Sequence, residues 1–370
     1  MPKRSRDNTH RAATLADVGR AAGVSAVVVS AVLNGSRTSS RVAPQTRERI
    51  LRAAAHLRYR PNAAARALVV RRMHTMGVAA VIDAGELDHY FLEVFNGVIE
   101  AAARHGHYAT VFTLHNWEKD CEQLPSFCDG RVDGLVLIAP LFGPEIAREL
   151  PKQTPFVSLH ANHVLPGVVN LESDEETGAY NLVHHLLTLG HRRILHLAGP
   201  RGLLGPERRV RGYQRALEEF KVPPDPSFVM EAGFSVHGGR LAMQAWLQRF
   251  VGRPLPHAIF CASDRVAIGC LEVLSECGIR VPDDVSVAGF DDSLAARTTV
   301  PQLTTVRQPL RDMGARAVEV LLQQIHHRRE IGTPVPSDAI IFPTEVVVRA
   351  SVGLAPEVSR AIRPLPPSRA

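Results

Sequence analysis

Capping residues and apolar stripes alternate over the first sixty residues in a pattern that predicts three short helices. Thr14 caps the first helix, and Gly23 ends it in a tight turn. Ser25 caps the second helix, and the third begins at Pro44, in the position that proline prefers. Two short helices joined by a tight turn and closed by a third are typical of a helix-turn-helix unit, although other three-helix bundles share this layout.

From residue 76 onward, apolar runs of strand length alternate with amphipathic stretches of helical length. The runs predict strands at 77–82, 109–114, 134–139, 156–159, 194–198, 258–262 and 285–290. One intervening helix is predicted over 90–104, where Phe91, Val94 and Val98 share a face. This alternation is typical of a parallel sheet covered by helices on both faces, so the sequence predicts an α/β fold that follows a small helical domain.

Charge is distributed unevenly between the helical segment and the rest of the chain. The 370 residues carry a net charge of +6, but residues 1–74 hold 15 Lys and Arg against 3 Asp and Glu, a net +12 that leaves −6 for the remainder. Lys and Arg gain affinity for phosphates by displacing counterions, so a basic segment on an acidic body predicts a polyanionic partner such as DNA. A solvated basic tail is the alternative that charge alone leaves open.

Cysteine spacing and motif searches narrow the chemistry. The five cysteines form an odd set without a CxxC pair, which fits neither a disulfide framework nor a zinc ribbon, so we expect reduced thiols. The sequence contains no GxGxxG, P-loop, HExxH or GxSxG motif, and the glycine-bearing stretch 199–205 lacks the Lys-Ser/Thr of a phosphate loop. We therefore expect no catalytic residue, no metal and no cofactor, and we do not expect an enzyme.

The distribution of apolar residues also bears on location. No run approaches the roughly 20 uninterrupted apolar residues of a membrane span, and the start MPKRSRDNTHR lacks the apolar region of a signal peptide. We therefore expect a cytoplasmic protein without a membrane partner.

Several stretches carry residue identities that are more specific than their spacing. They read ATLADVGRAAGVS at 13–25, VLNG at 32–35, TRERI at 46–50 and YRPNAAARAL at 59–68, and together they closely resemble the lactose and purine repressor family. The resemblance continues to about residue 353 through LGHRRI at 189–194, VPDDVSV at 281–287 and GFDD at 289–292. It implies a transcription regulator, usually a repressor in this family, whose binding to operator DNA is controlled by a small-molecule effector.

The resemblance also implies the domain organisation. A disordered basic tail over 1–12 precedes a helix-turn-helix domain over 13–60, a hinge helix and linker over 61–74, and an effector-binding and dimerisation domain over 75–353. This last domain is expected to have a type I periplasmic-binding-protein fold, with lobe one over 75–172 and 305–337, lobe two over 173–304 and 338–353, and chain crossings near 172, 305 and 337. Residues 354–370 contain four prolines and no heptad pattern, which predicts a disordered tail.

Carried over residue by residue, the resemblance predicts a DNA-binding set in three parts. These are the helix-turn-helix residues Thr14, Ser25, Ala26, Val27, Val28, Ser30, Ala31 and Asn34, the loop residues Arg37 and Arg41, and the hinge residues Tyr59, Asn62, Ala65, Arg66 and Leu68. Leu68 is expected to wedge into the minor groove and kink the DNA. An ordinary linker helix is the alternative for residues 63–68.

The second helix departs from the family at positions that usually read bases with polar side chains. Ala26, Val27 and Ala31 cannot hydrogen-bond a base edge, so we expect apolar contacts with thymine methyl groups and weak direct readout. The segment 35–41 is longer than in well-known members, and its arginines are expected to contact phosphates, with a solvated loop as the alternative. More of the discrimination is then expected to come from DNA deformability.

The effector-binding set comes from the same resemblance and consists of Asp83, Tyr90, Phe91, His160, Arg209, Phe234, Ser263 and Asp291. Aromatic faces suit a ring, and a cation with an anion fixes hydroxyls or amides by charge-assisted bonds. His160 and Ser263 replace the more usual Asp and Asn, so ligand chemistry is expected to differ there. Each residue also has an alternative, purely structural role: core packing for the two phenylalanines, an ion pair for Arg209 and a loop cap for Asp291.

Two hypotheses of different classes follow. In the first, a homodimer places two DNA-binding domains on a pseudo-palindromic operator, and a ligand in the interlobe cleft changes lobe orientation and thereby the folding of the hinges on DNA. In the second, the chain is a non-DNA solute-binding module or a sugar-acting enzyme of the same α/β fold. A transport-linked receptor would need an export signal and an enzyme would need a catalytic pair, and the sequence displays neither.

Overall fold

Two separate units make up the chain in the computed structural model, one ending at Met73 and one beginning at His74. The structure describes residues 12–33, 42–60, 72–82, 89–330 and 339–365, with the side chains of 328–330 excepted.

The first unit contains α1 (Leu15–Ala22), α2 (Ala26–Leu33) and α3 (Pro44–His56). A complete capping box starts α1, because the Asp17 N–H donates to Thr14 Oγ1 at 3.3 Å and the Thr14 N–H donates to the Asp17 carboxylate at 2.9 Å. Gly23 ends α1 with a φ of 64°, a conformation that costs glycine little. Val29 and Ile50 are 0% exposed and meet in the core between the three helices. α1 therefore begins and ends where its capping residues predict, and α2 and α3 begin where Ser25 and Pro44 predict.

The second unit alternates strands and helices. The strands are β1 (Thr75–Val81), β2 (Tyr108–Leu114), β3 (Gly134–Ile138), β4 (Phe156–Leu159), β5 (Val169–Ser173), β6 (Ile194–Ala198), β7 (Val229–Glu231), β8 (Ala258–Cys261), β9 (Ser286–Asp291), β10 (Thr304–Arg307), β11 (Ile340–Phe342) and β12 (Glu345–Val347). The helices are α4 (His89–Arg104), α5 (Trp117–Asp120), α6 (Leu124–Phe127), α7 (Pro144–Glu149), α8 (Glu175–Thr188), α9 (Leu204–Glu219), α10 (Val236–Arg249), α11 (Asp264–Glu276) and α12 (Leu310–Glu330). Short 3-10 turns occur at Cys121–Gln123, Pro226–Phe228 and Leu294–Arg297.

The strands form two six-stranded sheets, each at the centre of one lobe. Lobe one has the order β11-β5-β4-β3-β1-β2 with every neighbouring pair parallel, and lobe two has the order β12-β10-β9-β8-β6-β7. The edge strand β12 runs antiparallel to β10, as edge strands of doubly wound sheets often do. Buried apolar clusters lie on both faces of each sheet, under the flanking helices. The predicted parallel α/β architecture is therefore confirmed.

Two of the predicted lobe boundaries differ from the structure. The strand β10 pairs with β9 in lobe two, so residues 305–307 belong to lobe two and the second crossing follows Arg307, slightly beyond the predicted position near 305. The strand β11 pairs with β5 in lobe one, so residues 340–342 belong to lobe one and the third crossing lies between Phe342 and Glu345. The reason is that a strand of three or four residues carries too little periodicity for its sheet to be assigned from the sequence.

The helices α4 and α12 approach closely over the sheet of lobe one. A Cβ on Gly97 would lie 1.9 Å from the Arg311 carbonyl oxygen, and a Cβ on Gly314 would lie 2.1 Å from the Val94 carbonyl oxygen. The two helix backbones can touch only because both positions lack a side chain. This contact fixes the position of the amino end of α4, which carries Tyr90.

The prediction of a disordered tail over 354–370 is wrong for residues 354–365. The Leu255 N–H donates to the Arg360 carbonyl at 2.8 Å, and Gly252 and Arg253 bond the backbone of Ile362 at 2.9 and 2.8 Å. The Ile362 side chain is 3% exposed and belongs to the core of lobe two. We call residues 354–365 the strap. Proline-rich composition predicts disorder only where no apolar side chain is buried, and Ile362 supplies that burial. Residues 366–370 lie outside the described part.

Candidate functional site

The carboxyl ends of strands from both sheets meet at one cavity of about 610 Å³ between the lobes. Val81 ends β1 and His160 follows β4 on the side of lobe one, whereas Ser263 follows β8 and Asp291 ends β9 on the side of lobe two. Ligands of open α/β sheets bind at this edge, beyond the ends of the strands. The cavity is therefore the candidate binding site of the second unit.

Seven of the eight residues predicted to bind an effector line this cavity, namely Tyr90, Phe91, His160, Arg209, Phe234, Ser263 and Asp291. The eighth, Asp83, lies outside the described residues. The structure thus brings together side chains that are up to 201 positions apart in the sequence, from Tyr90 to Asp291.

A buried ion pair lies in the cavity wall. Nη2 of Arg209 donates to Oε1 of Glu175 at 2.5 Å, and its Nη1 donates to the Ala262 carbonyl. The Arg209 guanidinium also lies 4.1 Å from the centroid of the Phe290 ring. Burial by itself would raise the pKa of Glu175, but the charge of Arg209 and the bond that it donates outweigh burial, and the pKa lies below its usual value. The structural ion pair left open for Arg209 is therefore present, at a position that also faces the cavity.

Five hydrogen-bonded side chains connect the two lobes along the cavity. Tyr90 Oη contacts Nδ1 of His160, whose Nε2 lies 2.9 Å from the Ser173 hydroxyl. That hydroxyl donates to the Gln308 amide oxygen, and the Gln308 amide donates to the Asp291 carboxylate at 2.7 Å. Gln308 lies in the crossing between β10 and α12. Burial lowers the pKa of His160, so the ring is neutral near pH 7. We call this set the interlobe chain.

Two of the predicted side chains also belong to the scaffold. Phe91 is 4% exposed and stacks on Phe95 in the core of lobe one, with ring centroids 5.4 Å apart. The Ser263 hydroxyl caps α11 by accepting from the Val266 N–H at 3.3 Å. Phe234, in contrast, is 36% exposed and presents its ring to the cavity. The core packing left open for the two phenylalanines therefore describes Phe91 and not Phe234.

Trp117 and Glu175 also line the cavity, and neither was predicted from the sequence. Trp117 lies three residues beyond β2, and its Nε1 donates to the Ile138 carbonyl at 3.1 Å. Because β2 was predicted, the position of Trp117 beyond a strand end was an available signal. Glu175 begins α8 just beyond β5, and β5 was not recognised in the sequence, so no signal marked Glu175.

The charged side chains of the lining nearly balance one another. Arg209 and Arg265 are cations, and Glu118, Glu175 and Asp291 are anions. A phosphate would be repelled by three carboxylates and would find one of the two guanidinium groups already bonded to Glu175. The lining therefore favours an uncharged polar ligand.

Two buried carboxylates hold the segment that follows Asp291. Asp264 accepts from the Ser293 N–H at 2.7 Å and from the Thr305 hydroxyl at 2.6 Å, and burial raises the pKa of Asp264 to about 6. The neighbouring Asp292 side chain is 1% exposed and forms ion pairs with Arg297, Arg307 and Arg349. These bonds fix the loop that closes the cavity on the side of lobe two.

In the first unit, α2 buries one face and exposes an apolar one. Val29 and Val32 are buried, whereas Val27 is 77% exposed and the neighbouring Ala26 and Ala31 are half-buried. Of the other predicted DNA-binding residues, Thr14 caps α1, Ser25 caps α2 by accepting from the Val28 N–H at 3.4 Å, Ser30 is half-buried, and Tyr59 packs against the three-helix core. Asn34, Arg37, Arg41, Asn62, Ala65, Arg66 and Leu68 lie outside the described residues.

The described part of the chain gives no support for metal, disulfide or membrane chemistry. No group of three or more His, Cys, Asp or Glu side chains there is placed to hold a metal ion. The five cysteines are free thiols, and Cys121, Cys261 and Cys270 are buried. Among the described helices, none alone has the length and apolar composition to cross a membrane, and α1 with α2 meets those limits only as a pair bent by 103°.

A helix-turn-helix unit, followed along the chain by a two-lobed unit with a cavity at its strand ends, defines a DNA-binding regulator with a ligand-binding domain. Residues 14–62 match the family profile described as bacterial regulatory proteins, lacI family, and residues 183–352 match a periplasmic binding protein-like domain. The ribose operon repressor of Haemophilus influenzae is 32% identical over 326 residues, which cover 86% of this chain and 93% of that protein. The repressor PurR of the same species is 33% identical and covers 92% of this chain and 98% of its own length.

Solved structures agree with these relatives. A lac repressor dimer bound to operator and the anti-inducer ONPF has a TM-score of 0.77 at 26% identity and covers 93% of this chain and 100% of its own. A complex of the regulator CelR with cellobiose has a TM-score of 0.66 at 29% identity and covers 92% and 99%. The chain belongs to the LacI family of bacterial regulatory proteins, and it is a DNA-binding transcriptional regulator. The resemblance and the fold class expected from the sequence are confirmed.

Proposed function

We propose that the protein represses transcription as a homodimer on a pseudo-palindromic operator, and that an uncharged polar metabolite in the interlobe cavity controls this binding. The observation that carries the proposal is the cavity itself, because both lobes contribute its lining and the interlobe chain connects them. A ligand that contacts both lobes changes the relative stability of their orientations, and only such a difference can shift the equilibrium.

The effector is proposed to be a sugar, a nucleoside or a similar metabolite with several hydroxyl groups. Glu175 and Asp291 accept hydrogen bonds, the Arg209 guanidinium donates them, and Tyr90 and Phe234 offer aromatic faces to an apolar side of a ring. The relatives support this class, since one is named as a ribose operon repressor and another was solved with cellobiose.

The DNA-binding set is proposed to include the exposed side of α2 and the hinge residues 61–68. Two copies related by a two-fold axis match a two-fold operator and multiply the affinity of a single domain. The lac repressor neighbour is described as a dimer bound to operator, which supports a homodimer here. Leu68 is proposed to wedge into the minor groove and to kink the operator, as apolar side chains do at unstacked base steps.

The protein is proposed to act without catalysis and in the cytoplasm. Glu175 is bonded to Arg209 and Asp291 to Gln308, and both ring nitrogens of His160 are occupied by Tyr90 and Ser173, so none of these groups is placed as a free general base. Regulation of transcription requires access to DNA, which supports the location.

Selection of operators from a random DNA pool tests the proposal. We expect a two-fold symmetric site to be enriched and a sugar or nucleoside from a metabolite panel to change its affinity. Arg209→Met is expected to abolish the ligand response, whereas Arg240→Met, which removes a partly exposed arginine paired with Glu272 and Glu276, leaves the response intact. Enrichment of no sequence at low salt would refute DNA control. Unchanged bending of the selected site by Leu68→Ala would refute the wedge.

A further inference from the structure

The exposed side of α2 carries almost no group that can hydrogen-bond a base. Its eight residues read AVVVSAVL, without a charge or an amide. Val29 and Val32 are buried in the three-helix core, so Ala26, Val27, Ser30 and Ala31 form the side that points away from it. Val27 is 77% exposed, the highest value among the large apolar side chains described in this unit. We call these four residues the apolar face of α2.

An exposed apolar side chain contributes to the affinity for DNA only if an apolar group of the DNA removes it from water. The second helix of a helix-turn-helix unit lies in the major groove, where its amino-terminal residues meet base edges. Only one group on those edges is apolar, the C5-methyl group of thymine, which cytosine lacks unless it is methylated. The other edge groups are donors or acceptors, and Ser30 carries the one hydroxyl of the apolar face.

Charge from the rest of the segment explains how such a face can serve in DNA binding. Residues 1–74 carry a net charge of +12. Contacts with phosphates supply affinity irrespective of sequence and hold the helix in its groove. The apolar face then needs only to discriminate between base sequences, because the phosphate contacts already supply most of the affinity for DNA.

We propose that α2 recognises its operator half-site through the C5-methyl groups of pyrimidines, with Val27 as the principal contact and Ala26 and Ala31 beside it. The occupant of the apolar face is therefore a thymine, or a 5-methylcytosine, in the major groove. Such a helix distinguishes T·A from A·T by the side on which the methyl group lies, and it does not distinguish thymine from methylated cytosine. This inference rests on the proposed binding of operator DNA.

The test uses the full-length protein and an operator selected from a random pool. Each thymine of the half-site is replaced in turn by deoxyuridine, which removes only the methyl group. We expect binding about fourfold weaker at one or two positions, since burial of one methyl group contributes about 0.8 kcal/mol. At such a position, 5-methylcytosine opposite guanine is expected to bind more tightly than cytosine opposite guanine.

The variant Val27→Ala closes a thermodynamic cycle with the uridine substitution. If Val27 touches the methyl group, uridine costs less than about twofold in the variant, because the contact is already lost. Val164→Ala removes the same atoms from a side chain that is 88% exposed in the second unit, and it should leave the uridine effect unchanged.

Three outcomes would overturn the inference. The inference is wrong if uridine weakens binding at no position, if uridine weakens binding of Val27→Ala as much as that of the native protein, or if methylation of cytosine leaves affinity unchanged. In each case a selected operator still binds, so the proposed function stands. Failure of the protein to select any sequence would refute the proposed function itself.

Discussion

Replacement of Glu175 by glutamine should destabilise the second unit by about 3 kcal/mol. The side chains of Arg209 and Glu175 are only 7% and 4% exposed, and their charged groups meet at 2.5 Å. With charge centres about 4 Å apart and an effective dielectric constant of about 20, the attraction is about 4 kcal/mol. Glutamine keeps one neutral hydrogen bond of about 1 kcal/mol and leaves the guanidinium buried without a counter-charge.

Urea unfolding followed by tryptophan fluorescence measures this loss. Both tryptophans of the chain, Trp117 and Trp246, lie in the second unit and are buried, so their emission reports that unit. We expect the Glu175→Gln midpoint to fall by about 1 M without a change in slope. The control Glu272→Gln breaks an exposed pair with Arg240 and should cost less than about 1 kcal/mol.

The pH dependence of stability tests separately whether the charge of Glu175 stabilises the folded protein. The pKa of Glu175 in the folded protein lies below its ordinary value of 4.5. Its contribution to stability is therefore complete above that ordinary value and is lost as the pH falls through the folded-state pKa. The stability difference between the native protein and Glu175→Gln should be constant near neutrality and should shrink on acidification below about pH 4.5. A urea midpoint of Glu175→Gln equal to that of the native protein would refute the reasoning. So would a Glu175→Leu/Arg209→Met double variant that is less stable than Glu175→Gln, because removal of both charges should cost less than leaving one of them buried alone.

Three further perturbations test other parts of the structure. Ile362→Ala should lower the free energy of unfolding by about 2 to 3 kcal/mol, since the side chain is 3% exposed in the core of lobe two. An unchanged urea midpoint would instead indicate that the strap, residues 354–365, is disordered. Gly97→Ala should cost at least about 1 to 3 kcal/mol in the same assay, because its Cβ would lie 1.9 Å from the Arg311 carbonyl oxygen, and native stability would contradict the helix contact. Burial raises the pKa of Asp264 to about 6, so its stabilising protonation is complete below its ordinary pKa of 3.8 and is lost as the pH rises through about 6. Asp264→Asn should therefore gain stability relative to the native protein by up to about 3 kcal/mol between pH 4 and 7, and parallel pH profiles would count against that shift.

The parts that the sequence predicted well are those with long periodicity or a specific capping residue. The capping box at Thr14 and Asp17 and the turn at Gly23 each depend on well-defined local backbone bonds, and the seven predicted strands depend on apolar runs of four to six residues. The strands β5, β7, β10, β11 and β12 were not recognised, because they are only three or four residues long or, as with VNLES in β5, mix polar with apolar residues.

The site divides in the same way. The residues that the family resemblance marked, such as His160 and Arg209, do line the cavity, but the partners that set their chemistry were not predicted. Glu175 pairs with Arg209 across 34 positions, and Gln308 is hydrogen-bonded to Ser173 across 135. Contacts of this kind depend on how the strands cross between lobes, which no local pattern encodes.

The order of strands in the two sheets has a consequence for biosynthesis. Among the described residues, the outer edge of β5 is paired by β11 alone and the outer edge of β10 by β12 alone, and both partners are made after the other described strands of the unit. When the ribosome has translated the chain as far as α12, the sheet of each lobe therefore still lacks an edge strand. The core of lobe two also still lacks the side chain of Ile362. Such edges pair readily with other chains. We expect the nascent regulator to need a chaperone during the translation of roughly its last 40 codons, and mutations that stop synthesis there to yield aggregates and not a half-functional protein.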